Sequence, residues 1–199
     1  MIYIPLGERC QSTFLVKELG FRAQAFPFDW ITSPIDSLVK CIETDFEGFH
    51  LNLQLERNAA TGVYSQITDG LGFRFHHDYP TSSMNVFTDE SEVGEDPIVD
   101  NWRDFHGVTL EKYGRRIQRF RDTMRGEEEV IGVCRRPLAD CVRIRAAIAQ
   151  TYGRDLRIMT DTHEISHDPM IQTVHSERDW YDIEKWRISS SNGSHTPST

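Results

Sequence analysis

The sequence predicts an α/β fold, a mainly parallel sheet flanked by helices in a three-layer sandwich, and three observations carry that prediction. The chain opens with a short apolar run, Ile2, Tyr3, Ile4 and Leu6, followed by Gly7 and a helix-period segment that Gly20 stops. The stretch from about Glu129 to Thr160 alternates strand, helix and strand, with Pro137 opening the helix and Gly153 ending it. A strand–helix–strand crossover of this kind implies parallel, buried strands joined in the right-handed sense. Finally, 199 residues are enough for one core without disulfide or metal staples. We expect a single domain over residues 1–188 and a tail, 189–199, too poor in apolar residues to fold.

Each element has its own local reason. Phe14, Leu15 and Leu19 read as the apolar side of the first helix. Ser33, Pro34 and Asp36 look like a cap, a first-turn proline and a box acid, which predicts a helix from about Pro34 to Asp45 with Ile35, Leu38, Val39, Ile42 and Phe46 on one stripe. Cys41 beside that stripe reads as packing. Residues Gly62 to Asp78 read as two short strands around Thr68-Asp69-Gly70, the second alternating through Gly72, Phe73, Arg74, Phe75 and His76. Residues 80–100 are polar, acidic and aperiodic, which predicts a long surface loop or flap. Leu110, Tyr113, Ile117, Phe120 and Met124 then define an amphipathic helix ending at Gly126. Lys112, Arg115, Arg116, Arg119, Arg121 and Arg125 crowd that helix and are expected to form a solvated face balanced by the acidic flanking segments.

Composition excludes several function classes. A net charge of −9 opposes association with nucleic acid or an anionic membrane surface, since both begin with neutralisation of phosphates by Lys and Arg. No run is long enough to span a bilayer, and no basic-then-apolar signal segment follows Met1, so a cytoplasmic location is expected. The four cysteines, Cys10, Cys41, Cys134 and Cys141, contain no C-x-x-C pair and are expected to be reduced thiols. Nothing in the chain calls for a cofactor, and the expected partner is a peptide or small-molecule substrate.

The chemistry concentrates at Cys10. It falls at a strand-to-helix junction, where unsatisfied backbone N–H groups and the neighbouring Arg9 favour a thiolate, so its pKa is expected below the free value of about 8.5. A thiol hydrolase also needs a base and a group that orients the base. His76 and His77 end a predicted strand, and Asp78 or Asp29 would fix the tautomer; alternation sends one imidazole toward the site, and His77 is the slightly favoured choice. Arg135 and Arg136 beside a helix start would suit a carboxylate, phosphate or sulfate, which makes an anion- or nucleotide-binding domain of glycosyltransferase-like type the alternative. A minor alternative is zinc hydrolysis, because residues 163–167 match H-E-x-x-H, with His163, His167 and His175 as ligands. In a third reading the chain is a non-catalytic interaction module, with Phe26, Phe28 and Trp30 as core packing.

The segment from Ile4 to Ile31, with L-G-x-x-C and then P-F-D-W, together with the later F-x-H-D pattern at Phe75 to Asp78, resembles the putative papain-like cysteine peptidase family. The likeness extends through YGRRIQRFRDTM and VIGVCRR, so it covers about Ile2 to Thr160. It implies Cys10 as nucleophile, His76 or His77 as base and Asp78 or Asp29 as orienting acid. It also implies a papain-like α+β arrangement as the alternative fold, with the cysteine on a helix and the histidine on a largely antiparallel sheet.

Overall fold

A computed structural model describes residues 1–82 and 96–174. The opening apolar run becomes β1 (Ile2–Pro5), and its side chains alternate between two cores. Tyr3 packs with Leu15, Val16 and Leu19 of α1 (Gln11–Glu18), while Ile4 and Leu6 join a larger core on the opposite face. The crossover forms as expected: β6 (Val130–Cys134), α4 (Leu138–Tyr152) and β7 (Arg157–Asp161), with Gly153 ending the helix at φ 68°. β1, β6, β7 and a further strand, β8 (Ile171–Val174), pair in that order, all parallel. Both faces of this sheet are covered, by α1 on one side and by α4 and α3 (His106–Arg125) on the other, which gives the three-layer α/β arrangement.

A second sheet carries the remaining strands. The expected hairpin is β4 (Tyr64–Thr68) and β5 (Arg74–Phe75), and it is extended by β2 (Ile31–Thr32) and β3 (Gln54–Arg57) into an antiparallel sheet of order β2-β5-β4-β3. The turn is longer than the three residues expected. Asp69 holds it open, its carboxylate accepting from the backbone N–H groups of Leu71 and Phe73 at 3.0 and 2.9 Å and from that of His50 at 2.9 Å. One face of this sheet, Ile31, Phe75 and Ile67, is buried against Phe28, Phe49 and Phe73. Register puts Thr32 opposite Arg74, Arg74 opposite Thr68 and Glu56 opposite Gln66, so the other face is polar.

Three expectations about local contacts are corrected. The helix α2 (Ile35–Glu43) is preceded by Pro34, not capped by Ser33, whose hydroxyl instead donates to the carbonyl of Gly7 at 2.5 Å; Asp36 pairs with Arg143 at 2.6 Å. The basic residues of α3 are not simply solvated: Arg116 is buried, Lys112 lies 2.7 Å from Asp78, Arg121 pairs with Asp45 at 3.0 Å and Arg119 donates to the carbonyl of Ala25. Arg136 is also buried, at 4% exposure, and serves as a clamp rather than an open anion site. Its guanidinium donates to the carbonyl of Leu6 at 3.1 Å, to the carbonyl of Ser33, and to the Ser33 hydroxyl at 3.3 Å. Its main chain exchanges two bonds with the Thr160 hydroxyl on β7.

All four cysteines are free thiols, and Cys134 and Cys141 lie with their sulfurs 3.6 Å apart in the core. The ends of the expected long loop are joined by the Thr81–Ile98 bridge and by the N–H of Ser82 donating to Pro97 at 2.9 Å; residues 83–95 lie outside the described residues, as does the expected tail.

Replacing Arg136 by Met strips two buried carbonyls of their donor while keeping most of the side-chain volume. We expect Arg136→Met to cost about 2–4 kcal/mol in urea unfolding. A loss below about 1 kcal/mol, within the range of ordinary surface changes, would mean that the guanidinium is not the clamp described.

Candidate active site

The loop between β1 and α1 is shaped by a close approach. Gly7 sits so near Ser12 that an added Cβ would lie 2.3 Å from the serine Oγ. Cys10 follows in helical conformation, φ −62° and ψ −14°, immediately before α1, and its carbonyl accepts from the N–H groups of Thr13 and Phe14, each at 3.0 Å. The sequence therefore located the thiol correctly. It did not foresee its ionisation: burial pushes the Cys10 thiol up, outweighing its own backbone hydrogen bond and the Arg9 charge. Cys10 rests as a thiol, because the helix start and one exposed arginine offset less than the lost hydration costs.

Cys10 opens onto a cavity of about 620 Å³ that it shares with Trp30, Thr32, Gln66, Arg74, His76 and His77. The polar face of the antiparallel sheet lines this cavity. His76, two residues beyond Arg74, has its Nε2 3.1 Å from the Thr32 hydroxyl, and its buried Nδ1 has no hydrogen-bond partner among the described residues. Burial, followed by the His77, Arg74 and Arg9 charges, holds its pKa down to about 4, so it is neutral near pH 7. His77 is more deeply buried and meets the Trp30 ring edge-on at 6.0 Å. Both imidazoles thus reach the cavity, where alternation led us to expect one. Among the described residues neither is hydrogen-bonded to the Cys10 sulfur.

Trp30 is a residue that sequence reasoning left in the core. Its backbone takes φ 65°, an uncommon conformation for a bulky side chain and one that persists only where the surroundings over-determine it. Those surroundings are Phe14, edge-on at 4.6 Å, and the Arg22 guanidinium 5.7 Å from the ring. Thr32, Gln66, Arg57 and Arg74 were also missed. Arg74 and His76 share parity on one strand, a signal that was present; Thr32 and Arg57 depend on strand pairing.

Neither of the two candidate orienting acids lines the cavity. Asp78 is buried, yet the Lys112 ammonium at 2.7 Å and the Tyr113 hydroxyl, donating at 2.7 Å, hold its carboxyl below the usual carboxylate range against the cost of burial. The structure ties this carboxylate to α3. Asp29 is fully buried; its Oδ2 meets Arg22 at 3.3 Å and its Oδ1 has no hydrogen-bond partner among the described residues. Burial raises its pKa to about 6, against the opposing pull of Arg116 and Arg22.

The other candidates are not drawn into this site. Arg135 lies 3.5 Å from Asp161, and with Arg136 committed to carbonyls the expected anion site at the carboxyl edge of β6 is occupied by internal partners. Residues 163–167 form an irregular connection between β7 and β8, not a helix, so His163 and His167 are not presented at helical spacing, and the Oε1 of Glu164 accepts from the N–H of Leu138 at 3.3 Å. This removes the basis for zinc ligation by the H-E-x-x-H segment. His175 lies outside the described residues.

The family model described as "Putative papain-like cysteine peptidase (DUF1796)" matches residues 1–166. An uncharacterised protein of Acanthamoeba polyphaga mimivirus is 25% identical over 128 residues, covering 60% of this chain and 54% of the viral protein. The chain thus spans about half the length of that curated relative. No solved structure matches.

Two pH dependences follow. Because the Cys10 thiol is raised, its alkylation rate in the folded protein should keep climbing through pH 8 toward 9 and above. A plateau already reached at pH 6 would instead indicate a preformed thiolate. For Asp29 the folded state holds the proton more tightly than the unfolded state, so stability falls as pH rises between about 4 and 6. Relative to Asp29→Asn, the parent should lose up to roughly 3 kcal/mol across that window. Parallel stability–pH curves for the two proteins would show that Asp29 does not titrate there.

Proposed function

The chain belongs to the family described as putative papain-like cysteine peptidases, and from that premise we propose that it is a thiol hydrolase acting by acyl transfer on Cys10. The observation that carries this reading is the shared cavity: Cys10, in the loop between β1 and α1, and His76 and His77, just beyond β5, open onto one space although β1 and β5 belong to different sheets. Sequence distance does not place them together, and the pairing of a nucleophile with a nearby base is what the chemistry requires.

In this mechanism the substrate carbonyl carbon meets the Cys10 sulfur, a C–S bond forms, and the thiol proton passes to an imidazole. His77 is assigned as the base, since it fills the histidine position of the F-x-H-D pattern and rests against Trp30, whereas the Nε2 of His76 is engaged by Thr32. The imidazolium then returns the proton to the departing amine or alkoxide. Water attacks the thioester, the acid leaves and the thiol is restored. Backbone N–H groups at the start of α1, with the adjacent Gln11 amide, are the candidate donors to the oxyanion. The raised thiol fits a base that acts as the carbonyl is attacked, rather than a standing ion pair. Asp78 would act indirectly, by fixing the end of the strand that bears both histidines.

The experiment is acylation by an activated ester such as p-nitrophenyl acetate, with the site read by mass spectrometry. One acetyl group per chain is expected on Cys10, and none in Cys10→Ser. His77→Ala should slow the step by about a hundredfold or more, and His76→Ala by less than about tenfold. Equal rates in the parent and His77→Ala, or acetyl spread over the other thiols, would overturn the proposal.

A further inference from the structure

We propose that the Cys10 cavity is built for acyl substrates that carry a carboxylate next to the carbonyl under attack, with Arg9, Arg57 and Arg74 as its binding residues. The inference rests on the thiol-hydrolase reading and names the substrate class of the same site. Three guanidiniums from three separate elements line this cavity: the loop before α1, the end of β3 and the start of β5. Among the described residues none of the three makes an ion pair, whereas most of the other described arginines lie within ion-pair distance of a carboxylate. Among the described residues Glu56 is the one carboxylate in the lining, and one of its oxygens accepts from the Thr68 hydroxyl at 2.9 Å. A wall with three positive groups and one negative runs against a chain whose net charge is −9.

The arginines are also placed, not merely present. Arg57 follows an irregularity in the β3–β4 register and donates through Nε to the carbonyl of Gly62. Gly62, at φ 75°, lets the turn close over it, since an added Cβ would come within 3.1 Å of the Arg57 NH2 atom. That contact fixes the guanidinium while its terminal nitrogens keep their donors. Arg74 sits on the same strand face as His76, two residues away, and Arg9 adjoins Cys10, so positive charge flanks both imidazole and thiol. The Arg74 and Arg9 charges disfavour an imidazolium at His76. A bound carboxylate offsets them and makes proton transfer from the thiol easier, which couples binding of the right substrate to activation.

Iodoacetate and iodoacetamide test this on the full chain, because both transfer the same two-carbon unit to sulfur with loss of iodide and differ in charge. The rate ratio of iodoacetate to iodoacetamide at Cys10, divided by the same ratio in the urea-unfolded chain, reports the cavity's preference. We expect this normalised ratio to be about tenfold above unity at low salt, to fall with added salt, and to drop toward unity in Arg57→Gln and Arg74→Gln. A ratio near unity in the parent, or one unmoved by both substitutions, overturns the proposal. His77→Ala separates the two readings: if both reagents slow alike and the ratio persists, both stand. If neither rate changes and the ratio still persists, the carboxylate site stands and the assignment of His77 as base fails.

Discussion

The buried guanidinium of Arg136 is the constraint on which the candidate site depends. It leaves the carboxyl end of β6 and reaches the carbonyl of Leu6 beyond β1 and that of Ser33 beyond β2, so one side chain joins the parallel sheet to the antiparallel one. Ser33 continues the link through its hydroxyl to Gly7 and its N–H to Glu8. The loop that ends in Cys10 and the strand that carries Thr32 are therefore held by one hydrogen-bonded knot. A buried charge is costly unless its donors are used, and here the donors are spent on main-chain carbonyls that would otherwise be orphaned. Burial lowers the Arg136 pKa somewhat, yet an arginine remains charged, which a lysine at this position would not guarantee.

With the two sheets fixed in this way, the division of labour between their faces follows. The apolar face of the antiparallel sheet turns inward onto an aromatic cluster in which Phe28 meets Phe46, Phe49, Phe73 and Phe120. Its polar face turns toward Cys10. Period-two alternation thus places Phe75 in the core and Arg74 and His76 at the cavity with no separate instruction. α3 secures the segment that follows β5 by holding both oxygens of Asp78 with Lys112 and Tyr113.

The electrostatics of the cavity are set by burial and by the arginines in its wall. Burial raises the thiol and lowers the imidazole, and the surrounding arginines add to the second effect. Near pH 7 neither Cys10 nor His76 is charged, which avoids the cost of burying an ion. The left-handed Trp30 backbone and the incompletely satisfied Asp29 beside it mark the same region as one where local preference yields to a tertiary demand.

Much of this was legible in the residues themselves. Periodicity and punctuation by Gly and Pro defined β1, α1, the crossover and α3 within a few residues, because those elements rest on local hydrogen bonding and on one continuous apolar face. They also placed Cys10 before a helix and His76 and His77 at a strand end. The strands β2, β3 and β8 were invisible, the first being only two residues long and all three existing through their partners. The fates of Ser33, Arg136 and Asp78 were equally out of reach, since a polar side chain chooses its partner across distances of 26, 130 and 35 residues. The sequence by itself determined the opening strand, the crossover, the helices with an apolar stripe and where the thiol sits; the tertiary structure alone decided that two sheets share one cavity and that burial outweighs a helix start and an arginine. Local rules act over a few residues, whereas desolvation is set by whatever the rest of the chain packs around a group.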